Sequence, residues 1–551
     1  MRELQAVLRD WEAVIGLEVH TELTTLNSKM FCGCPIEFGA APNTHVCPVC
    51  LGLPGALPVP NRAAIESIVL AGLATNCDIE KRSMFYRKNY FYPDMSRNLQ
   101  ITQGPVAFCM RGHLDVEVAG VAARERQDLE GVRLLDGGAG AAGAGAGAGA
   151  GGYVAEIRIT RIHMEEDAGK LVHVGGTDGR ITGSAYSLVD YNRIGTPLIE
   201  LVTEPDLRTP EEARLFLQKL RQIYLTLDIS DCSMEEGSLR CDGNVSLRRR
   251  GTTQLGTKTE LKNMNSFKNL HDGLAYEICR QAEVLESGGR VVQETRHWEP
   301  ASKRTYGMRL KETADDYRYF PEPDLAPFDL SDEFIERVRT RLPELPDAKK
   351  QRFVEAYGLS ADVAATLAGD VEMASFFDAA MGAATGAGAA GAGSAAAGSA
   401  AAAGAADDKS GALAKPVANL LLNEVAAYLN ANNCTLAACG FTAAHLAQLA
   451  QLVVDGAISS KQAKEVLSLM AQLGQPPHEI VEQRGMKQVS DAGAIEAAVA
   501  EVLAANPDKV AEYQGGKTGL IGFFVGQVMK ATQGQGNPKL INELLRQHLE
   551  G

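Results

Sequence analysis

The chain has 551 residues, 45% of them apolar, and its formal net charge is −15. A single hydrophobic core rarely grows beyond roughly 250–300 residues, so the length predicts more than one domain. The negative charge excludes a nucleic-acid contact that depends on overall charge, and any polyanionic partner must be met by local basic residues or by a metal.

The chain up to about residue 325 alternates short β-like runs with turn signals, which predicts a sheet-rich domain. Helices are predicted within it at 208–226 and 268–288, and Thr209 followed by Pro210 is typical of a helix N-terminus. Beyond residue 330 the apolar periodicity is helical. We therefore predict an α+β fold: a domain at 1–325 with a mixed or antiparallel sheet, an all-α domain at 326–484 and a small all-α tail domain at 485–551.

Two tracts of almost pure glycine and alanine, 137–152 and 379–406, interrupt this pattern. Such tracts have little side chain to bury, so we expect flexible insertions in surface loops. The second could be partly helical because alanine favours the helix. No apolar run approaches the roughly 18–20 residues that span a bilayer, so no membrane partner is expected.

Carboxylates lie on the polar side of two predicted strands. In "VIGLEVHTEL" side chains alternate between faces, so Glu18, His20 and Glu22 lie opposite the apolar residues. The strand "PLIELVTEPD" separates Glu200 and Glu204 from its apolar residues in the same way.

A third segment, "RIHMEEDAGK", contains Glu165, Glu166 and Asp167 in a row, but its alternation fails, so the sequence does not decide which side chain faces inward. Hard divalent cations prefer oxygen ligands, and Mg²⁺ is usually shared between carboxylates and nucleotide phosphates. The three segments therefore indicate a Mg²⁺–ATP site on a sheet face. The spacing also leaves open a solvated face with scattered salt bridges.

Four cysteines, Cys32, Cys34, Cys47 and Cys50, form a C-x-C…C-x-x-C pattern. The odd total of 11 cysteines does not fit a secreted disulfide framework and favours a reducing compartment. Thiolates at this density are then typical of a tetrahedral structural zinc site. Four unligated thiols and an iron–sulfur cluster are the alternatives that the pattern leaves open.

Two further motifs carry less information. The stretch "GGKTG" at 515–519 lacks the glycine that the Walker pattern requires at Ala511, so a phosphate-binding loop is rejected. The stretch "YRKNYFYPD" at 86–94 sets Arg87 and Lys88 beside aromatic residues, which can hold phosphate and stack on a base. The alternative is an amphipathic strand with its aromatic face in the core.

Taken together, these stretches resemble the B subunit of the glutamine-dependent aspartyl/glutamyl-tRNA amidotransferase, which repairs misacylated tRNA. The stretch from "NPDKVAEYQGGKTG" onward is similar to the tail domain of that family. The other matching motifs follow the family's order through residues 13–325: "IGLEVHTEL", "VCPVCLGLPGALPVPN", "RKNYFYPD", "HMEEDAGK", "DYNRIGTPLIELVTEPD", "EEGSLRCDGNVSLR", "KTELKNMNSF" and "DYRYFPEPDL".

The resemblance implies a glutamine-synthetase-like catalytic cradle and a ligase. In the family, an amidase (the A subunit) releases ammonia from glutamine, the small C subunit is part of the same heterotrimer, and the misacylated tRNA is bound by the B subunit. With ATP and Mg²⁺, the B subunit phosphorylates the side-chain carboxylate of Glu-tRNA(Gln) or Asp-tRNA(Asn), and ammonia then displaces phosphate. Such chemistry asks the protein mainly for positioning and charge neutralisation.

Matching motifs assign residues to four expected roles. The catalytic set is Glu18, His20, Glu165, Glu166, Glu200 and Glu204, of which all but Glu204 are expected Mg²⁺ ligands. Contacts to ATP or the tRNA 3′ end are expected from Arg87, Lys88, Tyr90, Asp190, Asn192, Arg193, Arg240, Asp242, Asn244, Lys262, Asn263, Asn265, Ser266 and Arg318. The tRNA-binding tail would use Lys509, Lys517, Lys530 and Lys539, and structural Zn²⁺ would bind Cys32, Cys34, Cys47 and Cys50.

One loop departs from the family. Where the family continues after "YPD" with Leu-Pro-(Lys or Ala)-Gly-Tyr-Gln, this chain has "MSRNLQ", so Ser96, Asn98 and Leu99 replace proline, glycine and tyrosine. If that change has removed the contacts to ATP, the chain is a non-catalytic, zinc-containing tRNA-binding scaffold of the same complex. The glycine–alanine tracts favour a GC-rich eukaryotic genome and hence the mitochondrial matrix or chloroplast stroma, with the bacterial cytoplasm as the alternative.

Overall fold

A computed structural model describes residues 2–120, 126, 132–135, 151–175, 183–309, 317–385, 408–486, 492–532, 536 and 538–550. The described residues through Leu345 form one compact unit, and those from Pro346 onward form a second. Of the two glycine–alanine tracts, only 151–152 and 379–385 belong to the described residues. The prediction that the tracts are flexible insertions therefore falls mostly on residues outside the described part of the chain.

The first unit contains the strands. They are β1 (Trp11–Glu22), β2 (Asp78–Ile79), β3 (Arg82–Ser83), β4 (Phe85–Asn89), β5 (Leu99–Gln103), β6 (Cys109–Val118), β7 (Val132–Leu134), β8 (Tyr153–Glu166), β9 (Lys170–Val174), β10 (Tyr186–Asp190), β11 (Pro197–Thr203), β12 (Leu239–Arg249), β13 (Thr259–Lys262), β14 (Thr295–Glu299), β15 (Arg304–Arg309), β16 (Phe320–Pro321) and β17 (Phe328–Asp329). Its helices are α1 (Leu4–Asp10), α2 (Arg62–Ala74), α3 (Pro210–Thr226), α4 (Phe267–Glu286) and α5 (Asp332–Arg339).

Most of these strands form one mixed sheet. Its main path runs β15-β14-β13-β12-β1-β11-β8-β5-β4-β16, with β6 and β7 also paired to β8 and β2 paired to β6. The pair β13–β14 is parallel, whereas β1 is antiparallel to both of its neighbours, β11 and β12. The predicted mixed sheet within an α+β fold is confirmed.

The centre of this sheet has one apolar and one polar face. Ile15, Leu17 and Val19 of β1 are at most 1% exposed, and they belong to one core together with buried residues of α3 and α4. Burying an apolar side chain of this size contributes roughly 1.5–3 kcal/mol, so this core holds β1 with its apolar face inward. The opposite face of the strand therefore carries the intervening polar residues.

The helices over the apolar face begin where the sequence predicts. The hydroxyl of Thr209 accepts a hydrogen bond from the Glu212 N–H, and Pro210 occupies the first turn of α3. Ser266 caps α4 in the same way by accepting from the Asn269 N–H at 3.0 Å. Ser266, expected to contact ATP or tRNA, thus has a structural hydrogen bond of its own.

The second unit is built from helices. Its apolar residues form two separate clusters, one between Phe353 and Val481 and one between Ile495 and Leu549. In the part of the chain that the structure describes, no helix is long and apolar enough to cross a bilayer. The helices are α6 (Pro346–Tyr357), α7 (Ala361–Ala368), α8 (Val371–Ala384), α9 (Asp408–Asn419), continued by a π-helical segment Leu420–Val425, then α10 (Ala426–Asn432), α11 (Ala443–Val454), α12 (Ser460–Leu473), α13 (Pro477–Gln483), α14 (Ala492–Ala504), α15 (Pro507–Gln514), α16 (Ile521–Ala531) and α17 (Pro538–Glu550).

The cap of α3 gives a local test of this fold. Thr209→Ala leaves the Glu212 N–H without its acceptor, which costs about 1 kcal/mol, so amides in the first turn of α3 should exchange with solvent about fivefold faster. Hydrogen exchange of peptides from 210–226 measures this. Thr226→Ala is the control, because that hydroxyl donates only to the Gln222 carbonyl of the same helix. Equal exchange in the wild type and Thr209→Ala would contradict the capping role.

Candidate functional site

The polar face of the central sheet brings a histidine and two carboxylates together. His20 lies opposite Glu200 in the β1–β11 register, and Glu165 of β8 lies opposite Leu198, two residues before Glu200. His20 Nε2 is 3.2 Å from Glu200 Oε2 and 3.8 Å from Glu165 Oε1. One ligand atom from each of the three residues lies within 4.8 Å of the others, so they can share one cation; we call them the His20 group.

A second group of acids lies beside the first. Glu18 is two residues before His20 on the same face of β1, and it lies opposite Asp242 of β12. Glu260 of β13 lies opposite Asn244, and ligand oxygens of Glu18, Asp242 and Glu260 all fall within 4.8 Å of one another; we call these three residues the Glu18 group. The Asn244 amide donates to Glu18 Oε1 at 2.9 Å and holds that carboxylate in place.

Lysine and histidine side chains neutralise these acids within the protein. Burial alone would lower the pKa of His20, but its hydrogen bond to Glu200 and the charges of Glu200 and Glu165 raise it to about 9. Burial would likewise raise the pKa of Glu200, and the neighbouring His163, His20 and Lys88 hold it below its usual value.

Lys262 has the corresponding role in the Glu18 group. Its ammonium pairs with Asp242 and lies 3.5 Å from Glu260. Burial would lower the pKa of Lys262, but the charges of Asp242 and Glu260 raise it to about 12. Each group therefore has a basic side chain beside its carboxylates within the protein.

The register answers the question of which glutamate of "MEED" faces the site. Glu165 shares a face with Glu200, whereas Glu166 lies opposite Pro197 and points to the other side of the sheet. The buried Glu166 carboxylate pairs with Arg97 and accepts from the Ile101 N–H at 2.9 Å. Burial raises its pKa despite the charge of Arg97. The structure thus separates Glu166 from the two metal-compatible groups.

Glu204, expected in the catalytic set, follows the end of β11 and accepts from the Thr160 hydroxyl at 2.6 Å, next to a β-bulge at Val202/Thr203. It belongs to neither metal-compatible group among the described residues.

An ion-pair cluster continues the polar face beyond His20. Asp167 lies 2.6 Å from Arg240 and 3.6 Å from Arg193, and Glu22 lies 3.8 Å from Arg240. Burial and the neighbouring Asp167 charge raise the pKa of Glu22 to about 8, whereas the two arginines outweigh burial and hold the pKa of Asp167 at about 2. Arg193 and Arg240, both expected to contact ATP or the tRNA 3′ end, thus bind protein carboxylates in this structure.

The aromatic–basic stretch at 86–94 borders the His20 group. Lys88 Nζ lies 5.1 Å from the Tyr317 ring centre and 5.9 Å from that of Tyr90. Burial would lower the pKa of Lys88, but the charge of Glu165 and other nearby groups raises it. Its ammonium is therefore a cation held next to the acids.

The segment at 317–324 is tied to β4. Arg87 binds Glu322 through two hydrogen bonds of 2.7 and 2.6 Å, and it lies 3.2 Å from Asp324. Arg318 is stacked over Phe91, 5.8 Å from the ring centre. Arg87 is thus engaged with protein carboxylates, and Arg318 lies on the exposed side of the same segment.

Four other predicted contact residues hold protein loops. Asp190 accepts from the Asn43 N–H, and Asn192 accepts from the His45 N–H, so both fasten the segment 32–50, which we call the cysteine loop. Asn263 donates to the Trp298 carbonyl, and Asn265 donates to Asn263. The hydrogen bonds of these four residues are therefore contacts within the protein.

The four predicted zinc ligands converge. Their sulfur atoms lie within 4.8 Å of one another, and Cys47 Sγ is 3.9 Å from Cys50 Sγ. Zinc–sulfur bonds of about 2.3 Å in a tetrahedron place the sulfurs about 3.8 Å apart, so the donor set fits zinc. A hydrogen bond from Cys32 and other nearby donors hold the pKa of Cys50 near 4, against burial.

The predicted tRNA-binding lysines lie on different segments of the second unit. Lys509 packs over the Phe523 ring, Lys517 pairs with Glu512, and Lys530 lies in the last turn of α16. Lys539 lies on α17.

Sequence reasoning missed two residues of the sheet face. Glu260 lies in the motif "KTELKN" but on a strand of only four residues, too short for alternation to indicate a face. His163 lies 3.5 Å from Glu200, and burial lowers its pKa although the charge of Glu200 opposes this shift. Its position opposite Glu200 depends on the pairing of β8 with β11, which the sequence does not give.

Two family models match this chain. The model of the GatB/GatE catalytic domain matches residues 13–336, and that of the GatB domain matches residues 405–549. The chain belongs to the GatB/GatE family. Two relatives, from Carboxydothermus hydrogenoformans and Brevibacillus brevis, are each named as the B subunit of aspartyl/glutamyl-tRNA(Asn/Gln) amidotransferase and are 46% identical over 98% of this chain and 99% of their own length. A third of that name, from a Geobacter species, is 48% identical over 98% of this chain and 100% of its own length.

The catalytic-domain match of the GatB/GatE family includes every residue of the His20 group, the Glu18 group and the cysteine loop. The family therefore covers the part of the chain in which the acids converge.

The paired His20 and Glu200 generate a pH-dependent prediction. Because the folded pKa of His20 is raised from 6.5 to about 9, its ion pair stabilises the fold fully below about pH 6.5, and that contribution is lost as the pH rises through about 9. Nuclear magnetic resonance of the protein with labelled histidine side chains, recorded in the presence of a metal chelator, should show one imidazole signal that titrates near pH 9. This signal should be missing in His20→Gln.

In Glu200→Gln the same signal should titrate at lower pH, because the largest charge that raises the pKa of His20 has been removed. Glu235→Gln, at an exposed position, should leave it unchanged. A wild-type His20 that titrates at or below pH 6.5 would contradict the ion pair.

Proposed function

We propose that this chain is the ATP-dependent subunit of a tRNA amidotransferase, and that its polar sheet face phosphorylates the side-chain carboxylate of glutamate on tRNA(Gln). Aspartate on tRNA(Asn) would be a second substrate of the same chemistry. The observation that carries the proposal is that two groups of three metal-compatible side chains lie side by side on one face of the sheet. Glu18 of β1 belongs to one group, and His20 of β1 belongs to the other. The names of the relatives support the reaction class.

Both groups suit Mg²⁺ bound together with a nucleotide. Each offers two or three carboxylates, and Mg²⁺ in such sites is completed by phosphate oxygens and water. Residues i and i+2 of a strand are roughly 6.5–7 Å apart, so Glu18 and His20 place the two groups next to each other on one face. Bound Mg²⁺ would supply positive charge for the triphosphate and the leaving ADP.

The side chains themselves would orient the reactants. An oxygen of the substrate carboxylate attacks the γ-phosphorus, the bond to ADP breaks, and an acyl phosphate forms. Ammonia then attacks the acyl carbon, inorganic phosphate leaves, and the amide remains after loss of a proton. Lys88 and Lys262 lie beside the two groups, and their ammonium charges would offset those of the transferred phosphoryl group.

Glutamine is the proposed source of ammonia. The relatives are named as one subunit of an amidotransferase, which supports a complex of several subunits. We propose that an amidase (the A subunit) hydrolyses glutamine and that the small C subunit is the third member. The helical tail with Lys509, Lys517, Lys530 and Lys539 would contact the tRNA.

The cysteine loop is proposed to hold one structural Zn²⁺, and its sulfur geometry supports this. Of the two compartments that the sequence leaves open, the bacterial cytoplasm is favoured over an organelle, because the relatives reported above are bacterial.

Nucleotide turnover tests the proposed reaction. In the complex with its partner subunits and without glutamine, the wild type should release labelled phosphate from ATP only when Glu-tRNA(Gln) is present. Glu200→Gln and Glu18→Gln should each lower that rate at least about 100-fold, because each removes a negative ligand from a site that works by electrostatics. Glu3→Gln, an exposed acid before α1, is the control and should keep the wild-type rate.

The scaffold alternative gives the opposite result. A complex that binds Glu-tRNA(Gln) tightly but releases no phosphate from ATP in its presence would contradict the ligase proposal and favour the scaffold.

Metal content tests the zinc proposal. Elemental analysis should find about one zinc per wild-type chain and markedly less in Cys47→Ser, since three remaining thiolates close the site poorly. Cys439→Ser, in the second unit, is the control and should keep the wild-type content. Equal zinc in the wild type and Cys47→Ser would rule out the proposed site.

A further inference from the structure

Lys29 is a fully buried lysine three residues before the cysteine loop. Its side chain is 0% exposed, although lysine is almost never fully buried without a partner. The ammonium donates to the His45 carbonyl at 2.8 Å and to the Tyr191 carbonyl at 3.4 Å. Its remaining polar contact is the sulfur of Cys50 at 3.8 Å. Two carbonyls and one thiol sulfur thus replace the water that burial removes.

Backbone hydrogen bonds also fix the position of Lys29 next to the cysteine loop. Its N–H donates to the Cys34 carbonyl at 3.0 Å, and its carbonyl accepts from the Asn61 amide. The aliphatic part of the side chain passes Gly195, where an added Cβ would lie 3.6 Å from Lys29 Cδ and 3.9 Å from Cys50 Cβ. The ammonium is therefore held against the cysteines by a closely packed path.

The thiol cluster is the anion that suits this ammonium. Glu166 is the carboxylate that lines the space around Gly195: its Oε2 would lie 3.7 Å from a Cβ added at that glycine. This carboxylate is already paired with Arg97 and accepts from the Ile101 N–H. Among the described residues, no carboxylate lies within ion-pair distance of Lys29. Four thiolates around a divalent cation carry a net charge of −2, and one adjacent ammonium reduces the magnitude of that local charge to −1.

We propose that Lys29 is a positioning residue of the four-cysteine metal site: its ammonium donates to the Cys50 sulfur and offsets one negative charge of the metal-bound thiolates. The inference rests on the proposed zinc site and adds an outer partner to its four ligands. Buried outer partners of this kind fix the ligand orientation and favour the ionised ligand.

Metal titration of the full-length chain tests the role of Lys29 without any measure of activity. The reduced, metal-free wild type is titrated with Co²⁺, whose thiolate charge-transfer absorption reports four-sulfur binding, and then with Zn²⁺ against a chromophoric chelator. Lys29→Met keeps an unbranched side chain that is one atom shorter, and it removes the charge. It should keep the four-thiolate spectrum and one metal per chain but bind both metals about 10–100-fold more weakly.

A matched lysine controls for the general loss of charge. Lys81→Met removes an exposed lysine that pairs with Asp332, and its affinity for Co²⁺ and Zn²⁺ should equal that of the wild type. Should Lys29→Met fail to fold, Lys29→Gln lacks the charge and, although its side chain is shorter, retains an N–H donor for the carbonyls. The folded Gln variant must then show the weaker binding, and wild-type affinity in either folded variant overturns the proposal.

The failure of this inference is distinct from failure of the zinc site. A wild type that binds neither metal contradicts the zinc site and removes the role of Lys29 with it. A wild type that binds both tightly, beside a Lys29→Met chain of equal affinity, contradicts the role of Lys29 alone.

Discussion

The register of β1 between β11 and β12 is the constraint on which the site depends. His20 lies opposite Glu200 on one side, and Glu18 lies opposite Asp242 on the other. Because side chains alternate with period two, a slip of one residue would turn this whole set toward the apolar core. The buried residues Ile15 and Leu17 on the reverse face make such a slip costly. The same hydrophobic packing that stabilises the fold therefore fixes the acids in place.

Collecting like charges in this way requires compensation within the protein. The His20 group contains its own cation when the histidine is protonated, and the Glu18 group is met by Lys262. The next pair along the face, Glu22 and Asp167, is met by Arg240. Each acidic cluster thus has a basic residue from a neighbouring strand beside it.

The sequence predicts this site only where a regular period applies. Alternation identifies Glu18 and His20, and the helix caps at Thr209 and Pro210 are local signals that the structure confirms. The choice between Glu165 and Glu166 depends on strand pairing, which is not local. Glu260 lies on a strand too short for a period, and Lys29 is a single lysine in a loop, where no pattern indicates burial. The cysteine spacing, in contrast, predicts a cluster without any knowledge of the fold.

The altered loop at 95–100 has contacts that connect the two sites. Asn98 adopts a left-handed backbone with φ of 55°, a conformation that asparagine tolerates and that suits the position where the family has glycine. Ser96 donates to the Cys50 carbonyl at 2.7 Å, and Arg97 pairs with Glu166, the residue after Glu165 of the His20 group. The space for Arg97 exists because Gly52 has no Cβ, which would lie 2.2 Å from Arg97 Cγ. The substituted loop is therefore packed against both the cysteine loop and β8. Such packing argues against a loop that has lost its structural role. It therefore weakens the alternative in which the substitutions at 95–100 made the chain a non-catalytic scaffold.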